Sequence, residues 1–403
     1  MELPRIVLGP PVRGHDLWNR EEEIEELWRA LETSSVLLSA PRRFGKTSVM
    51  LALADRPKAG WQVYYLDVEW IKGPEDFVAE VMAVLLEHER HRSKDLLQKV
   101  RRIIGEALER VEEVEVAKFK LALRKRLQEE WQDTGKALIN LLREVEQRTI
   151  FIVDELPLLV LRIASKKNPA QAGEFLHWLR GLRQIPELQD RIRWVFGGSI
   201  GIEKVLQRVG AGTKVINDLY VLRLREFSGE TAKEFIKALL RKELGAKKLS
   251  PQLLEAFLRI VGPPIPYFIQ ILVRESLNEM ERRGEKRLSE DIIEVAYRDG
   301  VLACYNRTYF EHYYERIEEY YDQELAEIAK TFLSKLARVG SLSKKELWDL
   351  YMHKTQGKGS EDDFSYLLSD LENDFYIVRD PANERYRFAT KVLQDWWLRY
   401  HAA

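Results

Sequence analysis

A lysine, a threonine and two adjacent carboxylates stand in the contexts that phosphate chemistry requires. Lys46 and Thr47 close the segment Ser39-Ala40-Pro41-Arg42-Arg43-Phe44-Gly45-Lys46-Thr47-Ser48. The apolar run Val36-Leu37-Leu38 precedes it, and the helix-forming stretch Val49-Met50-Leu51-Ala52-Leu53-Ala54 follows. Strand, tight loop and helix, with Gly-Lys-Thr at the turn, is the arrangement of a phosphate-binding loop. Backbone N–H groups at a helix start point at an anion, and the helix dipole favours negative charge there. Gly45 lets the backbone approach a phosphate closely. Lys46 would reach the terminal phosphates, and Thr47 would offer its hydroxyl to Mg²⁺. The pattern G-x-x-x-x-G-K-[ST] has glycine where this chain has Ala40. Alanine suits that place at negative φ, since a positive φ would cost about 1 kcal/mol or more.

The matching carboxylates end the run Thr149-Ile150-Phe151-Ile152-Val153-Asp154-Glu155. Five strand-forming residues without alternation predict a strand buried on both faces. Its C-terminal end is where ligands bind in open α/β sheets. There Asp154 would hold the Mg²⁺ shell, and Glu155 would orient and deprotonate an attacking water. The plainer alternative is an acidic strand end facing solvent. A third strand, Arg193-Trp194-Val195-Phe196-Gly197-Gly198-Ser199, ends in a residue that either touches the γ-phosphate or attacking water, or belongs to a simple turn.

Two more runs, 61–67 and 220–224, complete five strands. Their alternation with helical stretches predicts an α/β fold with a parallel sheet and right-handed crossovers. The chain has 403 residues, enough for two or three domains, and 45% hydrophobic content supports real cores. A net charge of −1 gives no global pull toward nucleic acid or anionic membrane. Charged residues reach 32%, above the usual ~25%, which fits a surface dense in ion pairs. Cys304 is the single cysteine, which suits a reducing cytoplasm. No apolar run approaches the ~18 residues of a membrane span, and the N-terminus lacks a signal-like apolar core.

The elements organise into a nucleotide-binding core over 1–227, a helical lid over 228–322 and a winged helix over 323–403. Asn19 is placed to cap the first helix, with acids in its first turn. A helical insertion at about 75–147 reads as a hairpin on the core, or else as a partner or effector surface. Ser228 caps the first lid helix, and Gly262-Pro263-Pro264-Ile265-Pro266 breaks one helix and opens the next. Seven aromatics between Tyr305 and Tyr321 could stack on bases, but their i+4 spacing reads better as helical core. The segment from Ser360 to Asp374 carries six acids and no Lys or Arg, so phosphate would repel it. Arg379, Arg385 and Arg387 on the wing could still touch a backbone.

The chain resembles the STAND branch of the AAA+ superfamily, in particular its prokaryotic "ATPase 2" type. The likeness rests on Arg20-Glu21-Glu22-Glu23, the loop Pro41 to Ser48, Ile152-Val153-Asp154-Glu155, Gly198-Ser199-Ile200, Gly262-Pro263-Pro264 and the C-terminal winged helix. It implies a sheet of order 5-1-4-3-2 with a lid and winged helix closing over ATP or ADP. In the family, the loop residues, with Lys46 and Thr47, would hold phosphate and Mg²⁺. Asp154 would bind the metal, Glu155 would be the base and Ser199 a polar sensor. Pro264 or Pro263 would lie near the nucleotide. Ala40 departs from the pattern, and no clear arginine finger or second-sensor arginine stands out; Arg208 and Arg274 are candidates. These departures suit a slow switch, with a homo-oligomer or effector protein as partner. The alternatives are a DNA-associated ATPase, which the acidic third helix disfavours, and a scaffold that binds nucleotide without turning it over.

Overall fold

The computed structural model describes residues 2–66, 68, 70–89, 131–166, 168–198, 202–245 and 249–402. The chain forms two compact units, Arg20–Ala40 with Lys46–Leu224, and Met1–Asn19 with Pro41–Gly45 and Arg225–Ala403.

The first unit is built on five strands: β1 (Val36–Ser39), β2 (Trp61–Leu66), β3 (Arg148–Val153), β4 (Ile192–Gly198) and β5 (Tyr220–Arg223). All pair in parallel, in the order β2-β3-β4-β1-β5, as the resemblance implies. The lack of alternation in the central strands has the expected cause. On one face Phe151, Trp194 and Phe196 are buried, and on the other Ile150, Ile152 and Val195 are buried too. Trp194 organises the first face, stacked 4.8 Å from Phe151 and 5.9 Å from Phe196. The helices Pro74–Glu89, Trp131–Arg143, Leu156–Lys166 and Pro169–Arg183 contribute to the same core through Phe77, Leu138, Leu159 and Phe175. The two ends of the expected insertion are therefore core helices; its middle, including Leu121, Leu123 and Leu127, lies outside the described residues.

Asn19 does not cap the first helix, Glu21–Leu31. Its backbone is left-handed, with φ 48°, a region that asparagine tolerates better than most residues. Arg20 takes the cap position without a side-chain cap and pairs with Glu23 in the first turn.

The second unit is mainly helical. Ser228 caps Gly229–Leu244, and Ser250 caps Pro251–Val261. Gly262, at φ 74°, ends that helix, and Pro266 opens Pro266–Arg282, so the Gly-Pro-Pro segment breaks and restarts the chain as its residues dictate. Within Thr308–Tyr320, Phe310, Tyr313, Ile317 and Tyr320 are buried. The repeating aromatics are thus mostly core, although Tyr305 is 68% exposed.

Next come helix Gln323–Val339, β6 (Ser341–Ser343), helices Lys344–Lys354 and Glu361–Asn373, β7 (Ile377–Arg379), β8 (Arg385–Phe388) and helix Lys391–Tyr400. The three strands form an antiparallel sheet in the order β6-β8-β7. This is winged-helix topology. β6 is too short to leave a periodicity of its own, and pairing with β8 makes it a strand.

Candidate nucleotide-binding site

Helix Lys46–Asp55 begins at the lysine itself, with no acid in its first turn. The positive end of its dipole is therefore at Lys46, with no side-chain acid of that turn to offset it. Gly45 has φ 92°, and nothing lies within 4 Å of a Cβ built there. Backbone conformation, rather than space, requires glycine at this position. Ala40 is not among the residues with positive φ. Its N–H donates to the Gly198 carbonyl at 3.3 Å, so alanine follows β1 without strain.

β3 delivers the carboxylates to the same place. Lys46 Nζ lies 2.9 Å from Glu155 Oε1 and 3.2 Å from Asp154 Oδ1. The Thr47 hydroxyl donates to Asp154 Oδ2 at 2.6 Å. Lys46 and Asp154 are buried, while the Glu155 side chain is 29% exposed. Glu155 has φ 55°, a left-handed conformation that costs an ordinary residue about 1 kcal/mol or more. Its backbone N–H donates to Asp154 Oδ1 at 2.9 Å, which ties the pair together.

Two further residues complete this cluster, and sequence reading does not assign either to it. The Tyr65 hydroxyl, from β2, donates to Asp154 Oδ2 at 3.3 Å. Gly197, on β4 between β3 and β1, leaves room for the carboxylate. A Cβ there would meet Asp154 Oδ1 at 2.4 Å and Met50 Cε at 2.6 Å. The Gly197-Gly198 pair at a strand end was the available signal, and it also fits a simple turn.

Thr47 and Asp154 present hard oxygen donors within hydrogen-bond distance of each other. Mg²⁺ takes one or two carboxylate or hydroxyl oxygens and fills the rest of its shell with water and phosphate. The donor set fits that ion, and Thr47 and Asp154 are the residues that would hold it. Among the described residues no cluster of three or more His, Cys, Asp or Glu could hold a metal by itself.

Ser199 lies outside the described residues. Pro264 belongs to the second unit, where its carbonyl accepts from Phe227 N–H at 3.1 Å. Arg274 is also in that unit. It pairs with Glu275 at 2.9 Å, donates to the Tyr309 hydroxyl, and borders a polar cleft of about 400 Å³. Arg208 ends helix Ile202–Arg208 of the first unit. Pro41, Arg42, Arg43, Phe44 and Gly45 fall in the second unit. There the Phe44 ring, 2% exposed, meets Phe375 edge-on at 5.1 Å.

No protein-family profile matches the chain, and no curated protein does. Among solved structures it is similar to the Walker-type ATPase of Pyrococcus abyssi, at 18% identity and TM-score 0.62, over 98% of this chain and 99% of that one. It is also similar to the ORC2 protein of Aeropyrum pernix, solved in ADPNP–ADP complexes, at 16% identity and TM-score 0.56, over 98% and 94% of the two chains. The fold is that of AAA+ P-loop ATPases. The likeness in fold extends across nearly the whole length of this chain and of both neighbours. Among the described residues no helix is long and apolar enough to cross a membrane.

Proposed function

We propose that this chain binds ATP and ADP and hydrolyses ATP slowly, as a nucleotide-dependent conformational switch of the STAND kind. The observation that carries the proposal is the convergence of Lys46, Thr47, Asp154 and Glu155 at the N-terminus of one helix and the carboxyl end of β3. Lys46 is shared between two carboxylates. A triphosphate competes for it with more negative charge and better acceptors. As Lys46 turns to phosphate, Glu155 loses its cation and becomes available as a general base. The base takes a proton from water as the water oxygen bonds to the γ-phosphorus and the bond to the β–γ bridging oxygen breaks. Mg²⁺, held by Thr47 and Asp154, supplies neutralisation of the phosphate charge. Ser199 is assigned to sensing the γ-phosphate, and the Gly262-Pro263-Pro264 segment to contact with the nucleotide.

Within this reading, residues 1–227 form the catalytic core, 228–322 the lid and 323–403 the winged helix, in a cytoplasmic protein that acts on an effector protein or on further copies of itself. The ADPNP and ADP complexes of the Aeropyrum pernix neighbour support the nucleotide assignment. The test is a pair of variants. Lys46→Ala should abolish ATP binding by calorimetry; retained micromolar affinity overturns the site. Glu155→Gln should keep ATP bound and lower turnover by about 10²–10⁴-fold; unchanged turnover removes Glu155 as the base.

A further inference from the structure

The polar cleft that Arg274 borders has a volume of about 400 Å³, within the range of small-ligand sites, about 300–1,000 Å³. Every residue that lines it belongs to the second unit. One wall is a single face of helix Pro266–Arg282, carrying Arg274, Glu275, Asn278, Glu279 and Arg282; their spacing sets them on that face. The facing wall is the π-helical turn Ala296–Val301, followed by Tyr305 and Asn306. Such turns are rare and recur at functional sites. Gly300 lets the turn close on the helix, since a Cβ there would stand 3.1 Å from Glu275 Cβ and 3.2 Å from its Oε2.

Glu275, Glu279 and Asn306 are buried, so their hydrogen bonds can be accounted for one by one. Glu279 is fully engaged: Oε2 accepts from Arg282 Nε at 2.8 Å and Oε1 from Arg283 Nε at 2.6 Å. In Glu275, Oε1 accepts twice from Arg274, at 2.9 and 3.2 Å, but Oε2 accepts only from Asn278 Nδ2, at 3.4 Å. That is long for a bond to a carboxylate. Asn306 spends its Nδ2 on the Gly300 carbonyl at 3.0 Å. Both amides thus have their nitrogens engaged, and among the described residues no donor meets their oxygens. The unspent capacity is that of acceptors. The field has the matching sign. The Glu275 and Glu279 side chains are 6% and 8% exposed, while Arg274 and Arg282, which answer them, are 32% and 69% exposed. Water screens the outer cations more than the inner acids. Burial and then the charge of Glu275 raise the pKa of the Tyr305 hydroxyl, so the carboxylate and this exposed ring share the cleft. The face of such a ring attracts a cation. The cation is organic, because among the described residues no cluster of His, Cys, Asp or Glu could hold a metal.

We infer that this cleft binds a guanidinium group, with Glu275 Oε2 and the Asn278 and Asn306 carbonyl oxygens accepting its N–H groups and Tyr305 stacked on its face. A guanidinium carries its donors in one plane and no acceptor, which suits a cleft whose spare groups all accept. An arginine side chain of another protein and a free guanidino compound present the same group. The cleft shares no residue with the cluster of Lys46, Thr47, Asp154 and Glu155, and the inference does not depend on the function proposed above.

The full chain is titrated by calorimetry with agmatine, with the blocked peptide acetyl-Gly-Arg-Gly-amide, and with the same peptide carrying citrulline, whose neutral urea replaces the guanidinium. Saturable binding of a guanidinium probe at about 1 mM or tighter is expected, with the citrulline peptide about ten-fold weaker or worse, the value of a hydrogen bond to a charged group. Binding of the arginine peptide without agmatine assigns the site to a protein partner, and binding of agmatine without the peptide assigns it to a free compound. Binding of both shows that the guanidinium alone suffices. Tyr305→Ala, at an exposed position, should leave the denaturation midpoint unchanged and weaken binding about three-fold. Glu275→Gln keeps the shape and removes the charge, and should weaken binding about ten-fold or more. If that variant fails to fold, Tyr305→Ala and the citrulline peptide still decide. No saturable binding of either guanidinium probe, equal affinity for the citrulline peptide, or unchanged affinity in either folded variant overturns the inference.

Discussion

Gly197 has no side chain because Asp154 and Met50 occupy the place where one would stand. Gly197→Ala should push the Asp154 carboxylate off its position beside Thr47. We expect ATP affinity to fall at least ten-fold and the fold to lose about 1–3 kcal/mol, the usual cost of overpacking, read from binding isotherms and the denaturant midpoint. His312 gives a prediction in pH. Its pKa in the folded chain is held at about 2, against ~6.5 in an unfolded one. Between these values the unfolded chain binds a proton that the folded chain does not. Stability is therefore fully present above about pH 6.5 and is lost as the pH falls through the window. His312→Gln should remove up to about 1.4 kcal/mol per pH unit of that slope, measured by denaturation between pH 4 and 7 at a constant salt concentration. An unchanged slope would mean that His312 is charged in the folded protein.

At the scale of elements, caps decide where helices begin. Ser343 and Glu346 form a reciprocal capping box at helix Lys344–Lys354, with Glu346 N–H donating to Ser343 Oγ at 3.2 Å and Ser343 N–H to Glu346 Oε2 at 2.7 Å. Ser343→Ala should cost about 1 kcal/mol with nucleotide affinity unchanged, since the box lies in the winged helix; a thermal shift assay with and without ATP separates the two effects. The same local rule was readable at Ser228, where the hydroxyl accepts from Thr231 N–H at 3.1 Å. It failed at Asn19, where the residue type suits a cap and a left-handed backbone equally well. The strands β1, β3 and β4 were legible because a parallel sheet buries both faces and leaves unbroken apolar runs. β6 was not, because three residues carry no period.

For the whole molecule, charge bears on the partner. Net charge is −1, and helix Glu361–Asn373 buries Phe364, Leu367, Leu368 and Leu371, leaving a surface without Lys or Arg. The wing arginines are drawn into local pairs, Arg379 with Glu384 at 2.5 Å and Arg385 with Glu346 at 3.2 Å. We expect no salt-dependent binding of duplex DNA at low ionic strength, with or without ATP, by fluorescence anisotropy. Binding that weakens steeply with added salt would revive the DNA-associated reading.

The sequence by itself determined the phosphate-loop motif, the acidic strand end, the α/β class and the winged-helix ending. Each of these is set by backbone geometry and burial within a few neighbouring residues, and so leaves a local pattern. Only the tertiary structure decided that Lys46 is shared by Asp154 and Glu155, 109 residues from the latter, and that Gly197 makes space for that carboxylate. It also decided that Glu275, Asn278 and Asn306 open onto one cleft. Such adjacency comes from packing between elements remote in the chain. An unspent acceptor has no signature in sequence, because nothing about a glutamate or an asparagine reveals what surrounds it until the chain has folded.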